Sequence, residues 1–128
     1  MAMNVLLVMH RRMLSDALIA QTGSDSRFTL TAERNYANAP LTAEACSPEI
    51  ALVEIPESGL WKPAEKCLAI CDAIRKQIPD CKQVILCSEN DKESCHAAIQ
   101  AKQKRRIDDF LFYENSANYL FCKLEALV

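Results

Sequence analysis

A carboxylate closes the apolar run Ile50-Ala51-Leu52-Val53-Glu54, and the chain then breaks into Pro56-Glu57-Ser58-Gly59. Four apolar residues bounded by turn formers predict a buried strand. In an open α/β sheet, reactive groups gather in the loops at the carboxyl ends of the strands. Glu54 is therefore placed where a carboxylate could attack an electrophile, hold a cation or accept hydrogen bonds. A second run, Val84-Ile85-Leu86-Cys87, ends on Ser88 and offers a thiol and a hydroxyl at the same kind of edge. His10 follows a third run and, unperturbed, titrates near neutrality. It is read either as a contact to Glu54 or as an exposed loop residue.

The seven cysteines are 46, 67, 71, 81, 87, 95 and 122. Most fall where core residues belong, no Cys-x-x-Cys pair occurs, and reduced thiols acting as small hydrophobes are expected. Cys67 and Cys71, four apart, and Cys95-His96 match no zinc ribbon or finger spacing. A thiol enzyme would need a thiolate activated by a histidine or a helix N-terminus, and Cys87 alone has the position for it. A nucleotide-binding domain would need glycines that let backbone N–H groups approach phosphates. The two glycines, Gly23 and Gly59, do not follow the first strand.

These residues need elements to position them. Asn4–Met9, Ile50–Val53 and Val84–Cys87 are continuous apolar strands of the kind buried on both faces. Phe28–Ala32 alternates with period two, as an edge strand would, and Phe110–Tyr113 is the last strand. Between them, Met13, Leu14, Ala17 and Leu18 recur at helical spacing, with Gly23 as a stop. Asn35–Pro40 reads as loop, and Leu41–Cys46 supports a short helix. Cys67, Ile70, Cys71, Ile74 and Ile78 form one apolar helical stripe. Asp91 or Asn90 caps the helix carrying Cys95, Ala98 and Ile99, and Ser116 caps the last helix, with Leu120, Phe121 and Leu124 inward. Strict strand–helix alternation predicts a parallel sheet with helices on both faces. With right-handed crossovers and the alternating strand at the edge, the expected order is 2-1-3-4-5, a flavodoxin-like three-layer α/β/α sandwich.

The 128 residues fit one domain, residues 1–128, with a net charge of -2 and half the residues hydrophobic. That charge predicts no general attraction to nucleic acid or anionic membrane. No run approaches membrane-spanning length, and the N-terminus has no signal-peptide pattern, so a cytoplasmic protein is expected. The basic run Lys102–Arg106 suits either an acidic partner or the negative end of a helix dipole.

The chain resembles the receiver domains of two-component response regulators, the CheY-like fold, over essentially its whole length. Val5–Leu14 is similar to their opening, in which two acidic residues follow the first strand. Glu54–Gly59 is similar to the phosphoacceptor segment, an aspartate with glycine five residues on. Ile78-Pro79-Asp80 with Val84–Ser88 is similar to the third helix end and fourth strand, which closes on Ser or Thr. Ile107–Tyr113 is similar to the fifth strand, with its switch aromatic and lysine.

The resemblance implies a pocket of Met9, His10, Glu54, Ser88 and Tyr113, with Phe110 at the switch position. It also shows what this pocket lacks. The magnesium-holding acidic pair falls on Met9 and His10, the acceptor aspartate on Glu54, and the lysine on Tyr113. A thioether is no ligand for a hard cation. Magnesium binding is accordingly expected to be lost or weak, no cofactor is expected, and phosphorylation is expected to fail. The implied role is a non-enzymatic, atypical receiver (a pseudo-receiver) acting by protein–protein contact with another signalling protein or an output domain. No output domain is expected within these residues. The alternatives are a phosphorelay receiver phosphorylated at Glu54, and a small flavodoxin-like enzyme or nucleotide binder. Glu54 is either a stand-in for a phosphorylated aspartate, held by Ser88, Tyr113 or His10, or a solvated carboxylate at a strand end. A homodimer is implied only by family habit, through a face containing Cys95, Phe112, Tyr119 and Cys122.

Overall fold

The computed structural model describes residues 3–22 and 27–128. Strands β1 (Met3–Val8), β2 (Phe28–Glu33), β3 (Ile50–Glu54), β4 (Lys82–Cys87) and β5 (Asp109–Phe112) alternate with helices. These are α1 (Arg12–Gln21), α2 (Ala39–Cys46), α3 (Ala64–Gln77), α4 (Lys92–Gln103) and α5 (Ala117–Glu125). The strands form one parallel sheet in the order β2-β1-β3-β4-β5, as expected. Gly23, expected to stop the first helix, lies outside the described residues.

Side-chain alternation along the strands divides the core in two. Leu6, Val8, Ala51, Val53, Ile55, Ile85 and Cys87 face one way, against α2, α3 and α4 through Ala43, Cys67, Cys71, Ile74 and Ala98. Val5, Leu7, Met9, Ile50, Leu52, Val84, Leu86 and Leu111 face the other, against α1 and α5 through Leu18, Leu120, Phe121 and Leu124. Each fully buried aliphatic side chain contributes about 1.5–3 kcal/mol relative to exposure. The same period places Glu54, Ser88 and Tyr113 in phase with the second set, each just past the strand positions that α1 and α5 cover.

Helix ends follow local chemistry. The Asp91 carboxylate accepts from the Ser94 N–H at 3.1 Å and caps α4. Ser116 accepts from the Tyr119 N–H at 3.1 Å and caps α5. The loop expected over Asn35–Pro40 is instead a 3-10 turn, Tyr36–Asn38, running into α2 at Ala39. Asn35 initiates it by accepting from the Ala37 N–H at 3.2 Å, and Pro40 is tolerated because the first turn of a helix has N–H groups to spare. Tyr36 is thereby turned fully inward. Among the described residues, no helix is long and apolar enough to cross a membrane.

Candidate functional site

Glu54 ends β3 with 0% exposure, so it is not a solvated carboxylate. Removing a charged carboxylate from water is costly unless its oxygens find partners. Because β1 and β3 are sheet neighbours, the β1–α1 turn passes directly over it. Oε1 accepts from the backbone N–H of His10 at 2.9 Å and of Arg11 at 3.2 Å. Oε2 lies 3.4 Å from Nε of Arg11 and has no hydrogen bond of its own. Arg11 is the N-cap residue of α1, yet no side chain caps the helix locally. A carboxylate from β3 instead receives the N–H groups just ahead of the first turn, where the helix dipole favours negative charge.

The guanidinium of Arg11 extends across the strand ends. Its Nη2 lies 3.1 Å from Glu57 Oε1 and donates to the Tyr113 hydroxyl at 2.9 Å. Its plane carbon stands 4.4 Å from the centre of the Tyr113 ring, a cation–π contact. Tyr113 in turn donates its O–H to Glu57 Oε1 at 2.6 Å. Burial, and then the bond to Glu57, raises the phenol pKa above its usual range, so Tyr113 remains a neutral donor. One cation thus serves two carboxylates and one hydroxyl.

The structure distributes the expected pocket residues differently from their alignment. Glu54 and the backbone of His10 come together, but the His10 side chain is exposed. Met9 does not line the pocket: in phase with Val5 and Leu7, its side chain is wholly buried in the α1–α5 core. Ser88 and Tyr113 do not donate to Glu54. Ser88 donates to Glu114 Oε2 at 2.5 Å, and Glu114 Oε1 accepts from the Glu89 N–H at 2.8 Å. Burial alone would raise the Glu114 pKa, but these hydrogen bonds outweigh it and the net shift is downward. Phe110 is half-buried, edge-on to Phe112 at 5.8 Å, with Lys102 Nζ 5.7 Å from its ring centre. Arg11 and Glu57 were absent from the expected set. The signal for Arg11 was present in the strand order, since the β1–β3 adjacency brings the β1–α1 turn to the end of β3.

A second layer holds Glu54 from below. Tyr36 donates its O–H to the Glu54 carbonyl at 2.6 Å, and Cys67 Sγ approaches the same oxygen at 3.7 Å. Trp61 stacks on Tyr36 at 5.2 Å, and its carbonyl accepts from Cys67 Sγ at 3.1 Å. Trp61 therefore covers the core edge beside the site. Burial, then the Glu54 charge, pushes the Cys67 thiol up to about 12.

The other candidates resolve on contacts. His96 is exposed on α4. In the basic run, Lys102 pairs with Asp109 at 3.1 Å, and Arg106 pairs with Asp72 at 2.7 Å and Glu65 at 3.0 Å. Those two charges serve the fold, whereas Lys104 and Arg105 remain exposed. Tyr119 and Cys122 are exposed, and Cys95 and Phe112 half-buried. Among the described residues, no three His, Cys, Asp or Glu side chains gather as metal ligands would.

Solved structures share this fold. NtrX from Brucella abortus, determined with ADP, is 22% identical with a TM-score of 0.77 over 98% of this chain, which spans 26% of the NtrX chain. A response regulator from Thermotoga maritima is 19% identical with a TM-score of 0.76, covering 98% of this chain and 97% of its own. The fold is that of response-regulator receiver domains. An adenylate cyclase from Rhodopirellula baltica is 17% identical with a TM-score of 0.79, covering 98% of this chain and 87% of its own. At these identities the likeness carries the fold alone. No protein-family model matches the chain, and no curated protein matches its sequence.

Proposed function

We propose that this receiver-fold domain signals without phosphorylation, by binding another signalling protein or an output domain in the state its own ion pairs hold. The observation that carries this reading is Arg11, whose guanidinium contacts both Glu54 and Glu57. Phosphoryl transfer to a carboxylate needs a free oxygen to attack and a divalent ion to gather the phosphoryl charge. Here Oε1 of Glu54 is engaged by two backbone N–H groups and Oε2 faces Arg11. The residues do not fit magnesium, which asks for near-octahedral oxygen ligands. Met9 is in the core, His10 presents its side chain to solvent, and Glu57 is occupied by Arg11 and Tyr113. A resident guanidinium replaces the exchangeable cation and holds the β1–α1 turn against β3.

Contact surface is available beside it. Met13 on the first turn of α1 is 86% exposed and Leu60, after Glu57, 70% exposed. Against a thiol enzyme stands Cys87, fully buried and with its thiol pushed up to about 12 by burial, the charge of Cys95 adding to the shift.

The test is an amide NMR titration with magnesium and then beryllofluoride, a phosphoryl mimic. An unchanged spectrum is expected. Shifts gathered at Arg11, Glu54, Ser88 and Tyr113 would instead establish a working acceptor and overturn the proposal.

A further inference from the structure

The thiols of this chain are not scattered evenly through the core. Cys87 is the last residue of β4 and points toward α4, wholly buried among Val53, Ile55 and Ala98. Cys95, one turn into α4, packs half-buried against the same cluster. Its Sγ is 3.3 Å from the carbonyl oxygen of Ser88, the residue that follows Cys87, and 3.8 Å from that of Glu89. The first turn of α4 is tied down by the Asp91 cap and by the Cys95 N–H donating to the Asp91 carbonyl at 2.9 Å. The sulfur of Cys95 is thus turned back onto the end of β4, against the apolar cluster in which the Cys87 side chain is buried.

We propose that Cys87 and Cys95 are a redox modification site, oxidised by a hydroperoxide to an intramolecular disulfide that staples the first turn of α4 to the end of β4. Cys95 is the entry point, because it is half-exposed whereas burial keeps Cys87 protonated. The Cys95 thiolate attacks the peroxide O–O bond. A sulfenic acid forms on Cys95, and with hydrogen peroxide the leaving oxygen departs as water. The Cys87 sulfur, losing its proton, then attacks the sulfenic sulfur. The S–S bond forms as the S–O bond breaks, and a second water leaves. Two thiols lose two electrons in all, and one hydrogen peroxide gains them.

The product changes the site's neighbourhood. The bond would remove the Cys95 thiol from the Ser88 carbonyl and fix residues 88–94 at both ends. Ser88 is the residue that holds Glu114 through its hydroxyl. Oxidation would therefore be registered on the β4–α4 and β5–α5 loops without any phosphoryl group. This inference does not depend on whether Glu54 can be phosphorylated.

The test uses the full chain carrying Cys122→Ser, which removes the exposed thiol of α5. The protein is treated with stoichiometric hydrogen peroxide, alkylated and digested with trypsin. Cleavage at Lys82, Lys92 and Lys102 places Cys87 and Cys95 on separate peptides, 83–92 and 93–102. The expected product is these two peptides joined, lighter than their sum by two hydrogens, and released by dithiothreitol. In a further Cys95→Ser variant, Cys87 should stay alkylatable. The proposal is overturned if both cysteines remain alkylatable while other thiols oxidise. It is equally overturned if Cys95 reaches sulfinic acid with Cys87 free.

Discussion

Arg11 holds Glu54 twice, through its main-chain N–H at 3.2 Å to Oε1 and through its guanidinium Nε at 3.4 Å from Oε2. The carboxylate is sealed and the arginine side chain is 39% exposed, so the two partners are unequal. Removing the arginine strands a buried charge, whereas neutralising the glutamate does not. Arg11→Ala should therefore cost about 1–3 kcal/mol, less than the loss of a fully buried partner because water can reach the gap. Glu54→Gln keeps an oxygen for the two backbone N–H groups and should cost less. Chemical denaturation of both single variants and the double variant measures the coupling. The double variant should be more stable than the sum of the singles implies, by about 0.5–3 kcal/mol. Additivity within error would mean that the pair does not hold the turn.

Tyr36 is the support beneath this pair. Its hydroxyl meets the Glu54 carbonyl at 2.6 Å, and its ring stacks on Trp61, the only tryptophan. Burial first, and then the Glu54 charge, raises the Tyr36 pKa, so the phenol stays protonated as a donor. Tyr36→Phe should retain the stack and leave the carbonyl short of its tyrosine donor, costing about 1–3 kcal/mol. Tyr36→Leu should also shift the Trp61 emission, because the ring contact is lost. Fluorescence-detected urea unfolding reads both quantities in one experiment. A stable Tyr36→Phe variant would show that the hydrogen bond is dispensable.

The strand order and the placing of Glu54 at the carboxyl edge were legible because apolar runs, turn residues and strict alternation carry them. Burial of Glu54 was not legible, since a strand-end carboxylate reads the same whether or not a neighbouring turn folds over it. Nothing local marks Arg11, yet the β1–β3 adjacency implied by the strand order already brings the turn after β1 to Glu54. Met9 shows the opposite error. Aligning it with a ligand position assigned it to the pocket, while counting in twos from Val5 through Leu7 points it into the core. Tyr36 was hidden by its polar surroundings: Asn35, Asn38 and Pro40 look like loop, and only the inward turn of the ring shows that this segment packs.

Acid should loosen α4 at its start. The Asp91 pKa is lowered, chiefly by the hydrogen bond with the Ser94 side chain, against a smaller opposing effect of burial, with the Ser94 backbone N–H adding to the lowering. A depressed folded pKa contributes stability that is present above the unfolded value, about 3.9, and is lost as pH falls through the folded value. Asp91→Ala should cost about 1 kcal/mol near neutral pH. The difference from the parent should shrink below about pH 4, as the parent's own carboxylate becomes protonated. Thermal melts of both proteins between neutral and acid pH test the sign. A gap that widens on acidification would contradict the capping role.

Arg105 occupies a left-handed position, φ 61°, just past α4. The Arg106 N–H returns to the Ala101 carbonyl at 2.9 Å and the Arg105 N–H to the Lys102 carbonyl at 3.0 Å. These are the two bonds of a Schellman motif, in which glycine usually takes the left-handed place. A side chain there crowds its own carbonyl, at about 1 kcal/mol. The Arg105 side chain is exposed, and the carbonyl that accepts from Arg75 Nη1 at 2.8 Å belongs to the backbone and survives substitution. Arg105→Gly should therefore stabilise the fold by about 0.5–1 kcal/mol, the relief of strain being partly offset by glycine's greater freedom in the unfolded chain. Arg105→Ala should not share the gain, because it keeps the Cβ. Equal stability of the two variants would assign any gain to the lost charge instead of the backbone.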